Sequence, residues 1–172
     1  MNDAVASYKK AYEEMYAICE ANGWGDPFSY ARSREILMAA TLNHQISDTL
    51  SGADAIDEDG EAEYKSTISK HINGAYNGIS VQETWKEQER YLIENKIGKY
   101  ENHYFARFQG GKIAEIWKLK GKDVLTILLP KLRDKFDTVL EKKDPRLGAS
   151  VTKTEIINYG IKIYEAEYDT SR

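Results

Sequence analysis

A short acidic segment carries the residues of this chain that could do chemistry. Asp54 precedes an acidic turn, and Glu63, Tyr64 and Lys65 follow it. Side chains on a strand point alternately to opposite faces, so a hairpin here would project Glu63 and Lys65 from one face and leave the Tyr64 carbonyl beside it. The segment therefore predicts two carboxylates, one carbonyl oxygen and one ammonium around a single small volume.

This set of groups favours hydrolysis of a phosphodiester with the help of a divalent cation. Magnesium takes oxygen ligands, commonly one or two carboxylates together with waters and phosphate oxygens. Asp54, Glu63 and the Tyr64 carbonyl would be the protein ligands of Mg²⁺, which would lower the pKa of a bound water. Lys65 would orient that water or neutralise charge that develops on the phosphate. A solvated Glu-Lys pair beside an acidic surface turn is the alternative explanation of the same residues.

The stretch from Asp54 to Glu63-Tyr64-Lys65-Ser66 resembles the active-site hairpin of the PD-(D/E)xK nucleases, the superfamily to which many type II restriction endonucleases belong. Two departures stand out. The turn before Glu63 is one residue shorter than in the family, and Ala53 stands where the family has proline.

The resemblance continues along the chain, mostly by pattern, over residues 30 to 165. His103–Leu119 is similar to a later hairpin of the family, Lys122-Asp123 to the start of its next helix, and Gly160–Tyr164 to its terminal strand. The resemblance implies an α/β fold of the restriction-endonuclease type, with a mixed central β-sheet flanked by α-helices.

In activity, the resemblance implies a Mg²⁺-dependent type II endonuclease with Asp54, Glu63 and Lys65 as catalytic residues. The substrate would be double-stranded DNA, cut at a short palindromic or near-palindromic sequence to leave 5′-phosphates. A two-fold symmetric site calls for two active sites related by the same symmetry, so a homodimer is expected.

A polar segment with two glycines, residues 70–78, follows the predicted hairpin. Amide and imidazole side chains offer donor and acceptor sets that suit base edges in the major groove. The candidates for DNA binding are Lys70, His71, Asn73, Tyr76 and Asn77. A turn rich in Asn-Gly without any DNA contact is the alternative.

Bulk composition predicts a single globular domain of 172 residues, with 41% hydrophobic and 30% charged residues. The net charge of −4 is unevenly distributed. Residues 1–63 carry 4 basic and 13 acidic side chains, whereas residues 64–122 carry 11 basic and 6 acidic ones. A local basic segment suits a phosphate backbone, because such contacts depend on nearby Lys and Arg. A solvated basic face explains the same charges.

Residues 3–21 form an amphipathic pattern that Asn22-Gly23 can end. Helical spacing aligns one aromatic stripe on this segment, made of Val5, Tyr8, Tyr12, Met15 and Cys19. The stripe predicts either core or a subunit interface, so within the single domain 1–172 we assign residues 1–30 to dimerisation and 31–172 to catalysis and DNA recognition. The one cysteine, Cys19, is expected to be a buried thiol. A basic leader and a long apolar run are both lacking, so the cytoplasm is the expected location, without a membrane span.

Further elements follow from periodicity and from capping residues. They are a helix over 29–43, a helix from the Ser80-x-x-Glu83 box to Lys96, strands over 104–108 and 112–119, an apolar helix over 124–132 that Pro130 breaks or kinks, a polar loop over 141–148, a short helix after Thr152, and an edge strand over 161–164.

Two other functions stay open. One is a nuclease of the same fold that recognises branched DNA in repair or junction resolution. The other is a dimeric DNA-binding protein without catalysis, in which Glu63 and Lys65 are surface groups. The three histidines lack the close spacing of zinc ligands, and neither a Walker A loop nor a Rossmann glycine pattern occurs.

Overall fold

Two compact units make up the chain. A computed structural model describes residues 3–48 and 52–167, and the chain divides into Met1–Glu58 and Asp59–Arg172. The first unit is mainly helical, and the second contains a mostly antiparallel sheet flanked by helices. The chain is therefore a mixed α/β protein, as its sequence predicts.

Two helices and one short antiparallel strand pair form the first unit. They are α1 (Asp3–Ala21), α2 (Arg32–Leu42), β1 (Gln45–Ile46) and β2 (Ala55–Asp57). The predicted bounds of α1 are confirmed. The second helix begins later than the predicted Ser29, because the Asp26 carboxylate accepts hydrogen bonds from the Phe28 amide and the Ser29 hydroxyl, both at 2.9 Å, and holds a turn there.

The aromatic stripe of α1 does not belong to a core within this chain. Tyr8 and Tyr12 of the stripe are 73% and 45% exposed, and the neighbouring Tyr16 is 46% exposed. The ring of Tyr12 stacks on Phe28 with centroids 3.9 Å apart. Cys19, in the last turn of the helix, is buried as predicted. A largely exposed stripe excludes the core interpretation and leaves the interface interpretation open.

A buried arginine ties the first unit together. The guanidinium of Arg32 donates hydrogen bonds to the carbonyl oxygens of Trp24 and Ser47 and lies 3.4 Å from the Glu35 carboxylate. A buried charge is stable only with such partners, so Arg32 fixes both the loop before α2 and the chain after β1.

A mixed sheet organises the second unit, in which the strands pair in the order β3-β5-β6-β8. Their bounds are β3 Gly60–Thr67, β5 Asn102–Gln109, β6 Lys112–Lys120 and β8 Ile161–Glu165. β3 runs parallel to β5, and the other neighbours are antiparallel. The predicted hairpin of β5 and β6 is confirmed, and its turn uses Gly110 and Gly111, both at positive φ, where glycine is favoured.

A second antiparallel pair joins β4 (Gly74–Ser80) to β7 (Arg146–Val151). The predicted polar loops over 70–78 and 141–148 are therefore wrong where these strands lie. Tyr76, Ile79 and Leu147 are buried on the two strands. Their burial in a tertiary core outweighs the turn preference of the neighbouring Asn and Gly residues.

Helices flank these sheets and close one core. They are α3 (Trp85–Tyr91), which a π-helical turn continues over Leu92–Lys96, α4 (Gly121–Leu140) and α5 (Lys153–Tyr159). α4 packs against β5, β6 and β7. The fully buried apolar side chains of this core are Leu92, Phe105, Val124, Leu128, Leu132, Val151 and Ile156.

Two helix predictions require correction. The capping box of α3 is formed by Thr84 and Glu87 and not by Ser80 and Glu83, because Ser80 is the last residue of β4. α4 continues through Pro130 to Leu140. Pro130 has no N–H to donate to the carbonyl of Thr126, four residues earlier. Both residues are exposed, so water can donate to that carbonyl instead.

Other predictions for the second unit are confirmed. Thr152 and Glu155 form a capping box at the start of α5, and Gly160 follows the end of that helix. The terminal edge strand is β8. Among the helices that the structure describes, none is long and apolar enough to cross a membrane.

Gly74 packs where no side chain fits. A Cβ at this position would lie 2.3 Å from Cε1 of Phe105 and 3.2 Å from Cβ of Lys65. Phe105 is fully buried, so its ring has little room to move aside. This close approach, and not a special φ, requires glycine at the start of β4.

Candidate active site

The strand β3 brings the side chains of Glu63 and Lys65 together on one face. Its parallel register sets Glu63 beside His103 and Lys65 beside Phe105 on β5. The Lys65 ammonium donates a hydrogen bond to the Glu63 carboxylate. The side chain of Glu63 is 16% exposed and that of Lys65 is 21% exposed, so water screens this ion pair less than it screens a pair on an open surface. The common face that the sequence predicts is confirmed.

The Tyr64 carbonyl is a second oxygen at the same place. Nζ of Lys65 lies 3.2 Å from this oxygen and donates to it. The ring of Tyr64 points to the opposite face of the sheet, where it packs edge-on against Tyr104 with centroids 5.5 Å apart. One cation, the Lys65 ammonium, thus contacts both oxygens of this unit that the motif assigns to a metal.

These oxygens suit a divalent cation by type. A hard cation prefers carboxylate and carbonyl oxygens, and Mg²⁺ needs only one or two carboxylates beside its waters. Glu63 and the Tyr64 carbonyl would bind the metal by exchanging the Lys65 ammonium for it. Across residues 3–48 and 52–167, no group of three or more His, Cys, Asp or Glu side chains could hold a metal ion.

Asp54 belongs to the first unit. It directly precedes β2 and is half-buried. Its carbonyl accepts a hydrogen bond from the amide of Ser47 at 3.3 Å. Its role as the second carboxylate ligand stays a prediction from the sequence motif.

A buried tyrosine and histidine lie next to Lys65. The ammonium is 5.0 Å from the centroid of the Tyr76 ring, within the range of a cation–π interaction. The Tyr76 hydroxyl lies 2.7 Å from Nδ1 of His103, and Nε2 of His103 lies 2.9 Å from the Ile97 carbonyl. Sequence reasoning missed this pair, because 27 positions separate Tyr76 from His103 and no local spacing joins them.

Burial lowers the pKa of His103 to about 4, because an imidazolium at this site would lose its hydration. The hydrogen bond to the Ile97 carbonyl raises the pKa, and the nearby Lys65 ammonium lowers it. His103 is therefore a neutral ring in the folded protein near neutral pH.

We expect the free energy of unfolding to decrease as the pH falls from about 6.5 to about 4. Below its ordinary pKa of 6.5, His103 takes up a proton in the unfolded chain, but the folded chain binds that proton only near 4. Proton uptake therefore stabilises the unfolded state relative to the folded state across this interval, and the resulting loss of stability reaches roughly 3 kcal/mol at the lower end. Urea titrations at about pH 7 and about pH 4.5 measure the effect.

The variant His103→Gln is the reference for this prediction. It lacks the titrating ring, so its stability should fall less over the same interval than that of the wild-type protein. Equal losses in the two proteins would assign the acid sensitivity to other groups.

The residues predicted to bind DNA differ in their placement. Three of them are exposed: Lys70, His71 and Asn77. Asn73 is half-buried and donates through its amide to the His71 carbonyl at 3.0 Å. Tyr76 is only 7% exposed and bonds to His103. The predicted DNA contact of Tyr76 stays a prediction, and the structure shows this side chain buried against His103.

Comparisons with known proteins add no assignment to this geometry. The chain matches no protein-family model, and a search of curated proteins finds no significant match. The chemistry of the site rests on its own residues and on the motif that they form.

Proposed function

We propose that this protein is a Mg²⁺-dependent type II restriction endonuclease with the PD-(D/E)xK fold, which hydrolyses double-stranded DNA at a short palindromic or near-palindromic sequence. One observation carries the proposal: the Lys65 ammonium contacts both the Glu63 carboxylate and the Tyr64 carbonyl. These oxygens already converge on a positive charge, as ligands of a metal must, and they lie beside the lysine that the motif requires.

The residues have separate roles in the proposed reaction. Glu63 and the Tyr64 carbonyl would hold the metal, and Asp54 keeps the ligand role that the sequence motif predicts for it. When bound, Mg²⁺ provides a water of lowered pKa and positive charge beside the phosphate. Lys65, exchanged from Glu63, orients the attacking water and neutralises charge on the phosphate oxygens. The water oxygen bonds to phosphorus and loses a proton to solvent as the P–O3′ bond breaks, and O3′ takes up a proton from solvent, which leaves a 5′-phosphate and a 3′-hydroxyl.

Local charge supports DNA as the substrate. Residues 64–122 carry an excess of basic side chains, whereas residues 1–63 are strongly acidic. Lys70 and His71 are exposed in the loop that follows β3, only a few positions after Lys65. Lys70 suits a phosphate contact, and His71, Asn73 and Asn77 have the donors and acceptors for base edges.

The exposed stripe of α1 supports a homodimer. A two-fold interface must be self-complementary, since the same patch serves both subunits. Tyr8 and Tyr16 stand four residues on either side of Tyr12, at the middle of Asp3–Ala21. An antiparallel second copy would therefore bring each Tyr8 to the Tyr16 of its partner. Two such subunits would supply the two active sites that a double-strand cut needs.

We expect Tyr8→Glu to convert the dimer to a monomer, because the new carboxylate would be buried beside an aromatic ring. Sedimentation equilibrium of the wild-type protein and the variant measures the change in mass. Tyr159→Glu, on the half-exposed α5 tyrosine, is the control and should leave the mass unaltered. A wild-type protein that sediments as a monomer contradicts this interface.

The proposed activity is tested with unmethylated phage DNA and Mg²⁺, followed by sequencing of the ends. Discrete fragments with one shared end sequence support a site-specific endonuclease. Cleavage of branched DNA regardless of sequence indicates the repair or junction nuclease instead. Lys65→Met protein, purified in parallel, reports any contaminating nuclease. No cleavage and no heat of Mg²⁺ binding in calorimetry, together with measurable binding of duplex DNA, would indicate a DNA-binding protein without catalysis.

A further inference from the structure

We propose that Tyr76 is a positioning residue for Lys65 and that His103 holds Tyr76 in place for this task. The inference deepens the proposed function and rests on it, because it concerns how the lysine of the nuclease site is aimed. Tyr76 lies on β4 and His103 on β5, so the arrangement joins the two sheets of the second unit at the site.

The hydrogen bonds fix the direction of every proton in the pair. The Ile97 carbonyl can only accept, so Nε2 of His103 carries the hydrogen that it receives. Nδ1 of the neutral ring is then an acceptor, and the Tyr76 hydroxyl must donate to it. Both His103 and Tyr76 are buried, with 0% and 7% of their surface exposed. Water therefore offers little competition for these two bonds.

This anchor sets the orientation of the Tyr76 ring. A tyrosine that is bonded at its hydroxyl cannot swing about its Cα–Cβ bond without breaking that bond. The ring of the fully buried Phe105 is a second neighbour, with its centroid 6.5 Å from that of Tyr76. The face of the Tyr76 ring is thus presented to the Lys65 ammonium at 5.0 Å.

The Tyr76 ring attracts the Lys65 ammonium, and a divalent cation would not displace the ammonium from this ring. The Lys65 ammonium donates hydrogen bonds to the Glu63 carboxylate and to the Tyr64 carbonyl. A divalent cation would bind to these same two oxygens. A ring face attracts the ammonium without offering a hard oxygen ligand. When the metal occupies the oxygens, the Tyr76 ring keeps the ammonium beside the site, where it can act on the water.

The kinetic test compares Tyr76→Leu and Tyr76→Phe with the wild-type protein. Tyr76→Leu removes the ring face and should lower kcat by roughly 3- to 30-fold, with KM for DNA unchanged. Tyr76→Phe keeps the ring and loses only the anchor, so its kcat should lie between the two. Tyr104→Phe removes a buried hydroxyl on the other face of the sheet and should match the wild-type protein. A loss confined to KM would overturn the inference.

The second measurement does not depend on nuclease activity. In full-length protein with ¹³Cε-labelled lysine, the ring current of Tyr76 should shift the Lys65 methylene signal upfield. Tyr76→Leu should abolish this shift, and Tyr76→Phe should reduce it. The methylene signal of Lys99, which lies over the Tyr100 ring, is the internal reference and should not change in either variant.

The two measurements separate the hypotheses. A Lys65 signal that is identical in the wild-type and Tyr76→Leu proteins overturns the positioning role, even if the wild-type protein cleaves DNA. A normal shift in a protein that cleaves no DNA overturns the proposed function and leaves the Lys65–Tyr76 contact standing. If Tyr76→Leu does not fold, Tyr76→Phe decides the point by the same signal.

Discussion

Replacement of Lys65 by methionine is expected to reduce the rate of DNA cleavage by a factor on the order of 10² to 10⁴. Methionine keeps most of the aliphatic stem, whose Cβ lies beside Gly74, but carries no charge to orient the water or to neutralise the phosphate. Initial rates on a cleavable DNA with Mg²⁺ measure the loss. Binding of the same DNA with Ca²⁺ should change little, because the lysine acts mainly on the transition state.

Lys118→Met is the matched control for this change. Lys118 is half-buried on β6, 20% exposed, with Nζ 3.9 Å from the Asp59 carboxylate and 5.6 Å from the ring centroid of Tyr104. Like Lys65, it is a largely covered lysine near a carboxylate and an aromatic ring. It lies on the other face of the sheet from Lys65, the face that carries Tyr64 and Tyr104. Equal losses from the two substitutions would show a general effect of half-buried lysines and would refute the catalytic role of Lys65.

Glu63→Gln is the second substitution with a large expected effect. It keeps the size of the side chain and removes the negative charge that would hold Mg²⁺. Removal of a residue that hydrogen-bonds to a metal ligand typically lowers metal affinity or activity by about 10- to 100-fold. Removal of the charge of the ligand itself should therefore lower the cleavage rate at least about 100-fold. Calorimetric titration with Mg²⁺ should show the heat of binding disappear together with the activity.

Glu61→Gln distinguishes this effect from the removal of any acidic group on β3. Glu61 shares the strand face of Glu63, is half exposed and pairs with Lys99 at 2.6 Å. An exposed pair of this kind contributes little to stability, so the variant should keep both its metal binding and its activity. Full activity in Glu63→Gln would remove the metal role from the motif.

Local signals were sufficient for the elements whose stability is local. The bounds of α1 follow from its own periodicity and its Asn-Gly stop, and the hairpin of β5 and β6 follows from alternation around Gly110-Gly111. The start of α3 was displaced, because the Ser80 box and the Thr84 box have the same spacing. Which of them caps the helix depends on Ser80 being paired with Arg146, a contact that no local window contains.

The candidate site divides in the same manner. The shared face of Glu63 and Lys65 is a property of a single strand, so a period of two was enough to predict it. The placement of Tyr76 was not accessible, because the Asn-Gly residues around it suggested a loop and its partner His103 is distant in sequence. Long-range pairing of β4 with β7 decided its burial and with it the role that it can have.

The tight fit of Gly74 has a consequence for mutational scanning. In a saturation library selected only for folded, soluble protein, every alternative to glycine at position 74 should be depleted, since any Cβ would collide with Phe105. Codons for positions 63 and 65 should tolerate many replacements in that library and become restricted only under selection for cleavage. The contrast between the two selections would separate architecture from chemistry at three positions that are neighbours in space.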